Sequence, residues 1–430
     1  MTWISTPSTD AYWLCNASVP GVLLADIAEG DGLVRMDFKI EGGAIAAIVK
    51  AGAAKDSSLP ADDLDGGLVF PCFVDLHTHL DKSHILPRCE SREGDLFAAI
   101  AASAADKNNF SEADLEQRME FSLQCAYAHG TRALRTHLDC SPDLSHDPWP
   151  VFERLRERWR ARIELQAVSL TTLDCFADDG YARNLAQTVA RHGGVLGAFC
   201  YKQAGMERLL ARVFTLAAEF GLDLDLHVDE GLDPDAAGLE TIARIALAVE
   251  FPGRVVCGHC CSLSVQLPGH VARTLELVAE AGFTVVSLPL TNLFLQDRGE
   301  GRTPRLRGMT LIRELAAHGV PVALASDNCR DPFFAYGDLD MLEVFNMGAR
   351  IAHLEQPVRH WIQSITATPA QAMGLAEGGL GVGRSADLVL FRARNDSELL
   401  SRPQSERVVI RAGEWIDTTV PDFRQLDSLY

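Results

Sequence analysis

Residues 67–82 read Gly-Leu-Val-Phe-Pro-Cys-Phe-Val-Asp-Leu-His-Thr-His-Leu-Asp-Lys. An apolar run rich in strand-forming residues leads directly into His77-Thr78-His79. In an extended strand, residues two apart share a side, so both imidazoles converge while Thr78 faces away. Two neutral imidazoles on one face are the beginning of a divalent metal site, each nitrogen a donor at about 2.0–2.1 Å. A His-x-His triplet also arises by chance in a chain of this length. Its meaning depends on what the rest of the sequence places beside it.

Outward from this stretch, short apolar runs alternate with segments of helical periodicity. The runs are 68–76, 132–137, 163–170, 195–200, 222–227, 255–259, 283–288 and 320–325. Between them the pattern predicts helices over 111–129, opened by Ser111-x-x-Asp114 and closed by Gly130, and over 205–220, 268–281 and 309–318, each with a glycine just beyond. Eight strand–helix alternations predict an α/β fold, a (β/α)8 TIM barrel. A doubly wound open sheet is the competing arrangement, but no Gly-x-Gly-x-x-Gly follows the first strand. The flanks are β-like instead, over 21–25, 33–40 and 44–49, then 379–383, 386–391 and 408–413. The expected organisation is a barrel over 67–376 and a small β-sandwich domain formed from both termini, 1–66 and 377–430.

In such a barrel, chemistry belongs at the C-terminal ends of the strands. The first run ends in His77 and His79, the fifth in His227-Val-Asp-Glu230, the sixth in Gly258-His259 and the eighth in Ser326-Asp327. A buried Asp without a partner costs several kcal/mol, so Asp327 at the end of an apolar strand calls for a cation or strong donors. His77, His79, His227 and Asp327 together form a set of three nitrogens and one oxygen with room for water. Each could be structural alone; four gathered at the ends of three strands point to metal.

Other groups invite competing readings. Cys257-Gly-His-Cys260 has the spacing of a thiol redox pair, but it ends a strand rather than opening a helix in a thioredoxin-like unit. His137 ends the second strand, as pocket lining or as packing. Lys202 follows the fourth strand, where a carbamylated lysine bridging two metals would sit; a surface lysine is the simpler reading. His84 reads as a loop residue.

The chain has 430 residues, 47% hydrophobic and 23% charged, the profile of a globular protein with a large core. Lys plus Arg number 39 against 59 Asp plus Glu, for a net charge of −20. That balance argues against nucleic acid or an anionic membrane as a partner, since both reward a basic face. The first residues, Met-Thr-Trp-Ile-Ser-Thr-Pro, lack a charged and then apolar leader pattern, and no uncharged stretch reaches the roughly 18 residues of a membrane span. Eleven cysteines at irregular spacing suit a reducing compartment. The expectation is a cytoplasmic protein; a homo-oligomer is compatible with it, though no stretch demonstrates one.

Taken together, 73–81 (Phe-Val-Asp-Leu-His-Thr-His-Leu-Asp), 135–139 (Arg-Thr-His-Leu-Asp), 227–230 (His-Val-Asp-Glu), 289–298 (Pro-Leu-Thr-Asn-Leu-Phe-Leu-Gln-Asp-Arg) and 326–332 (Ser-Asp-Asn-Cys-Arg-Asp-Pro) resemble the amidohydrolase superfamily, in its cytosine deaminase-like branch. The resemblance runs over most of the chain. It implies one divalent ion per chain, Zn or Fe(II), on His77, His79, His227 and Asp327. The His-x-x-Glu after the fifth strand marks single-metal deaminases, which argues against a bridging role for Lys202. It further implies hydrolytic deamination: metal-bound hydroxide attacks the amine-bearing carbon of an N-heterocycle and ammonia leaves. Asp327 takes the water proton, Glu230 protonates the adjacent ring nitrogen, and His259 orients the attacking oxygen.

The resemblance is weakest at the substrate contacts. Thr172 stands where cytosine deaminases of this kind carry a Gln that reads the pyrimidine edge, Asn328 stands for a second Asp, and Phe333 for a Trp. Lys82 adds a cation. A hydroxyl cannot make the bidentate contact of an amide, so the expected substrate is an amino-substituted ring related to cytosine rather than cytosine by default. Two alternatives are an N-alkylaminohydrolase acting on an s-triazine and a cyclic amide hydrolase of the dihydropyrimidinase kind. A thiol redox protein built on Cys257 and Cys260 is a more distant one.

Overall fold

The computed structural model describes residues 3–4, 9–25, 32–54, 58–89, 94–144, 147–376 and 378–430. Glu377, where the sequence reading starts the C-terminal β segment, and residues 1–2 and 5–8 of the N-terminal stretch lie outside the described residues. In chain order the strands are β1 Ala11–Pro20, β2 Leu33–Glu41, β3 Ala44–Lys50, β4 Ala61–Asp63, β5 Leu68–Pro71, β6 Phe73–Thr78, β7 Thr131–Asp139, β8 Glu164–Leu170 and β9 Leu196–Cys200. They continue as β10 Leu224–Val228, β11 Val255–His259, β12 Thr284–Ser287, β13 Val322–Leu324, β14 Leu388–Phe391, β15 Val408–Arg411 and β16 Glu414–Trp415.

The fold is mixed α/β with parallel sheets. β6-β7-β8 form one parallel sheet and β9 to β13 a second, in sequential order. Isolated parallel bridges Val168↔Val195 and Thr172↔Phe199 join β8 to β9, and Thr78↔Asp327 joins the end of β6 to the residues just after β13. Helices follow the strands, among them α1 (Leu96–Asp106) and α2 (Glu112–Ala128). The hydroxyl of Ser111 caps α2 by accepting from the Asp114 amide, as its capping pattern predicts. Gly221, left-handed at φ +66°, ends the helix Met206–Phe220.

The terminal segments share one sheet in the order β16-β15-β14-β5-β1-β2-β3, with β4 on β1. The run read as one strand over 68–76 is therefore two. Leu68–Pro71 pairs antiparallel with β14, whereas the Phe73 amide donates to Gly130 O and starts the ladder with β7. The proline, with no N–H, sits at the change of partner. The β-like run 21–25 is instead a 3-10 turn followed by a bridge from Leu24 to Leu380. A cluster of Val74, Leu76, Ala133, Val256, Val286, Ala323 and Ala325 draws side chains from both parallel sheets into one core. No helix among the described residues is long and apolar enough to cross a membrane.

Candidate active site and metal centre

The strand ends set the geometry. On β10, alternation turns Asp225 and His227 to one side; the Asp225 carboxylate accepts from Arg135 Nη1 at 2.8 Å and lies 3.4 Å from His137 Nε2. Beyond His227 the backbone kinks at Asp229, with φ +46°, and the Asp229 carboxylate caps the next helix by accepting from the amides of Gly238 and Leu239. That kink lets His227 and Glu230 line the same cavity. His259, Cys260 and Asp327 also hold positive φ, so backbone strain gathers at the strand ends. Asp327 is fixed from two directions. Its amide donates to His77 O at 2.8 Å, and the preceding Ser326 gives its amide (3.2 Å) and hydroxyl (2.5 Å) to the buried Asp75 carboxylate.

The ligand-type atoms of His77, His79, His137 and His227 lie within 4.8 Å of one another, as do those of His77, His259 and Asp327. His79 Nε2 and His227 Nε2 face each other at 3.2 Å. Asp327 Oδ1 stands 3.4 Å from His77 Nε2 and 3.2 Å from His79 Nε2, yet neither Asp327 oxygen accepts a hydrogen bond. Both ring nitrogens of His77 and the Nδ1 atoms of His79 and His227 are likewise buried without one. Buried polar atoms are nearly always satisfied, so a converging group of orphaned nitrogens and carboxylate oxygens fits a divalent cation. His137 belongs to the packing beneath, its nitrogens directed at Asp225 and at Thr78 O.

Burial keeps the imidazoles of His79 and His227 neutral, as ligands must be. It drives His79 well below its usual range, helped by the Lys82 charge, and does the same to His227, helped by His77. The carboxyls diverge. Burial pulls Asp327 up, but the facing imidazoles win and hold it well below the usual range. Burial and the Asp327 charge push Glu230 up to about 8, against a smaller pull from Lys82. Glu230 Oε1 lies 3.6 Å from His259 Nδ1, and Asn292 Nδ2 lies 3.1 Å from the same nitrogen. Gln296, one helical turn after Asn292, donates to the Glu230 carbonyl.

A cavity of about 300 Å³ opens over this group, lined by His79, His227, Glu230, His259 and Asp327 at its floor. Lys82, Thr172, Asn328 and Phe333 also line it. Lys82 is buried, its ammonium 5.4 Å from the centre of the Phe333 ring. Two of these groups are already engaged: Asn328 Nδ2 donates to Asp331 at 2.7 Å, and the Thr172 hydroxyl lies 3.4 Å from Cys175 Sγ. The outer wall comes from α1 through Leu96, Phe97 and Ile100, with Phe199 and Tyr201 also lining the cavity. Of the groups outside this set, Lys202 pairs with Asp233 at 3.2 Å with its side chain 54% exposed, and His84 is in a loop, 3.1 Å from the Ser122 hydroxyl. Burial raises the thiols of Cys257 and Cys260 well above their usual range, the opposite of a reactive thiolate. All eleven cysteines carry free thiols.

Asp75, Gly258, Asn292, Gln296 and the α1 wall also shape the site, and sequence alone gives none of them a role. Asn292 and Gln296 carried a signal, being amide side chains four apart in a largely apolar helical stretch. Gly258 and Asp75 act across strands and carried none.

Residues 152–420 match the description "Amidohydrolase family". The chain is 45% identical to the pterin deaminase of Rhizobium rhizogenes over 432 residues, covering 100% of this chain and 99% of that protein. It is 25% identical to the N-isopropylammelide isopropyl amidohydrolase of a Pseudomonas species, over 90% of this chain and 92% of the other. The solved structure of 5-methylcytosine deaminase from Klebsiella pneumoniae superposes with a TM-score of 0.82 at 24% identity, covering 94% of this chain and 97% of that one, which shows a shared fold. A matched family description over more than half the sequence and a relative collinear from end to end agree with the histidine and carboxylate cluster: this chain belongs to the amidohydrolase family.

Proposed function

We propose that the chain hydrolytically deaminates an amino-substituted N-heterocycle of the pterin kind, exchanging a ring amine for water's oxygen and releasing ammonia. It is a hydrolase of C–N bonds in cyclic amidines. The observation that carries the reading is Glu230, a buried carboxyl pushed up to about 8 in the same cavity as the histidine and Asp327 cluster. The pterin choice is supported by the 45% identity to a pterin deaminase along the whole chain. We read the eight parallel strands as one closed (β/α)8 barrel over about 67–376, which the bridges Val168↔Val195, Thr172↔Phe199 and Thr78↔Asp327 support. The terminal segments, 1–66 and 377–430, are read as a β-sandwich domain, which the bridges Leu24↔Leu380 and Ala44↔Ser385 between them, and β5 lying between β1 and β14, support.

One divalent ion per chain, Zn or Fe(II), held by His77, His79, His227 and Asp327, would act as a Lewis acid that brings the pKa of water from about 15.7 to near 7. Asp327 takes the proton of the attacking water onto a carboxylate oxygen. His259, its Nδ1 beside the Asn292 amide, turns Nε2 to that water and holds it on line. Glu230 gives its proton to the ring nitrogen next to the amine-bearing carbon as the new C–O bond forms. As the C–N bond breaks, the proton held by Asp327 passes to the departing amine, so ammonia leaves neutral, while the hydroxyl proton of the tetrahedral carbon returns to Glu230 and the oxo ring remains. Phe333 covers one ring face, the Lys82 ammonium donates to a ring acceptor, and Thr172 and Asn328 border the ring edge.

The test is ammonia release by purified, metal-analysed protein from pterin, cytosine, 5-methylcytosine and amino-s-triazines, with and without a chelator. Release from pterin with near one metal per chain, lost on chelation, is the expected result. A metal-loaded protein that frees ammonia from none of them refutes the reading. The dihydropyrimidinase-like alternative needs a bridging lysine, and Lys202 is exposed and paired with Asp233.

A further inference from the structure

Lys82 is 7% exposed, and among the described residues no carboxylate lies within ion-pair distance of its ammonium. Its backbone is held far more tightly than a loop residue needs. Arg118 of α2, 0% exposed, donates from Nη1 to the carbonyl of Asp81 at 2.5 Å and to the carbonyl of Ser83 at 3.1 Å, the residues on either side of Lys82. The amides of Lys82 and Ser83 both donate to His79 O, at 3.2 and 3.1 Å. Both flanking peptides are thus fixed where the Lys82 side chain lines the cavity, its ammonium 5.4 Å from the centre of the Phe333 ring.

The guanidinium is itself held. Arg118 Nε and Nη2 donate to Asp114 Oδ2 at 3.0 and 2.7 Å. Asp114 also takes Arg88 Nη1 at 2.6 Å, and Arg88 Nε reaches Asp106 Oδ2, the last residue of α1, at 2.8 Å. The same chain of ion pairs thus runs from the wall of the cavity to the backbone of Lys82. Stability alone gives little reason for it, since a buried ion pair is commonly no better than apolar side chains of like volume.

We propose that Arg118, which touches neither the cavity nor the metal-ligand group, is a positioning residue that aims the Lys82 ammonium at the substrate ring. The relay Asp106–Arg88–Asp114–Arg118 ties that aim to the position of α1. The proposal rests on the reading of Lys82 as a substrate contact.

A double-mutant cycle tests it: Arg118→Met, Lys82→Met and the pair, assayed for kcat and KM on pterin, with metal content and thermal unfolding measured alongside. A hydrogen bond from a charged donor corresponds to roughly tenfold to a hundredfold in affinity. Each single variant is expected to lose about that factor in kcat/KM, mainly through KM and at unchanged metal content. The double variant is expected to be no worse than Lys82→Met alone. Arg118→Met leaves Asp114 paired with Arg88, so the fold is expected to persist. If it does not, Arg118→Lys, which keeps the charge but cannot fork to two carbonyls, takes its place in the cycle. Losses that multiply in full overturn positioning and leave an independent structural role. Wild-type kcat/KM in Lys82→Met while the wild type deaminates pterin removes the substrate contact, and the proposal falls with it.

Discussion

Gly258 gives the sharpest test of the metal centre, because its effect is purely steric. It does not occupy the left-handed region; what it provides is space. A Cβ built there would lie 3.0 Å from Cε1 and 3.2 Å from Nδ1 of His77. Carbon atoms out of bonding reach settle at about 3.5–4.0 Å, so Gly258→Ala must push the His77 ring by a few tenths of an ångström. Metal–ligand distances hold to about ±0.2 Å, so the displacement exceeds what the coordination tolerates. We expect metal affinity to fall roughly 10–100-fold, as when the support of a ligand is lost, and stability to fall by about 1–3 kcal/mol from overpacking. The assay is metal retained across a chelator series, read beside thermal unfolding, with activity measured again at saturating metal. A Gly258→Ala protein that surrenders its metal at the wild-type chelator midpoint would refute the argument that His77 is a ligand held by the void opposite it.

Four other outcomes are expected. Glu230→Gln keeps metal and fold but loses about 10²–10⁴-fold in turnover, the usual worth of a placed acid–base group; wild-type-like rates would sink the mechanism. Because the protonated Glu230 is the active form, kcat/KM falls as pH rises through its pKa, at or below about 8 since a bound cation lowers it, and Glu230→Gln should lack that limb in the pH profile. Asn292→Ala frees His259 Nδ1 and is expected to cost roughly tenfold to a hundredfold in kcat at unchanged metal content, checked by steady-state kinetics with metal analysis. Cys257→Ser with Cys260→Ser should retain activity, since both thiols are buried and raised; loss of turnover in a folded, metal-loaded double variant would revive the redox reading.

What was legible in the sequence followed from local rules. Strand-end position and residue type suffice to nominate His77, His79, His227, Glu230, His259 and Asp327, and all six carry side chains at or beneath one cavity. The capping pattern at Ser111 and the glycines after the helices are equally local. Partners that meet only after folding were not legible. Asp75 matters through Ser326, and Arg118 through two carbonyls of a loop more than thirty residues earlier, so neither residue type nor spacing announces it. The split of 68–76 was hidden because an apolar run does not say which sheet it joins; the partner β14 comes late in the chain. Thr172 and Asn328 show the converse limit. Both line the cavity, but each already faces a neighbour, Cys175 and Asp331, which position alone could not reveal.

The two carboxyls at the cavity floor carry the assignment of roles further than their positions do. Asp327 and Glu230 share one low-dielectric space, so burial acts on both in the same direction and cannot by itself separate them. The difference is in their partners: imidazoles of His77 and His79 stand within 3.4 Å of Asp327, whereas Glu230 faces His259 Nδ1 at 3.6 Å and feels the Asp327 charge as a like neighbour. Ionising Asp327 therefore makes ionising Glu230 harder. One group is kept as the anion that binds a cation and accepts water's proton; the other keeps its proton near neutral pH and can give it to a ring nitrogen. Titratable neighbours driven apart in this way are what separates base from acid in one site. The two roles are therefore interdependent: Asp327→Asn removes the like charge, so in the metal-free protein the Glu230 carboxyl should titrate at lower pH in that variant than in the wild type. Titrating the Glu230 carboxyl by infrared difference spectra in metal-free wild type and metal-free Asp327→Asn measures that coupling directly, and the same titration midpoint in both proteins would show that the two carboxyls do not sense each other.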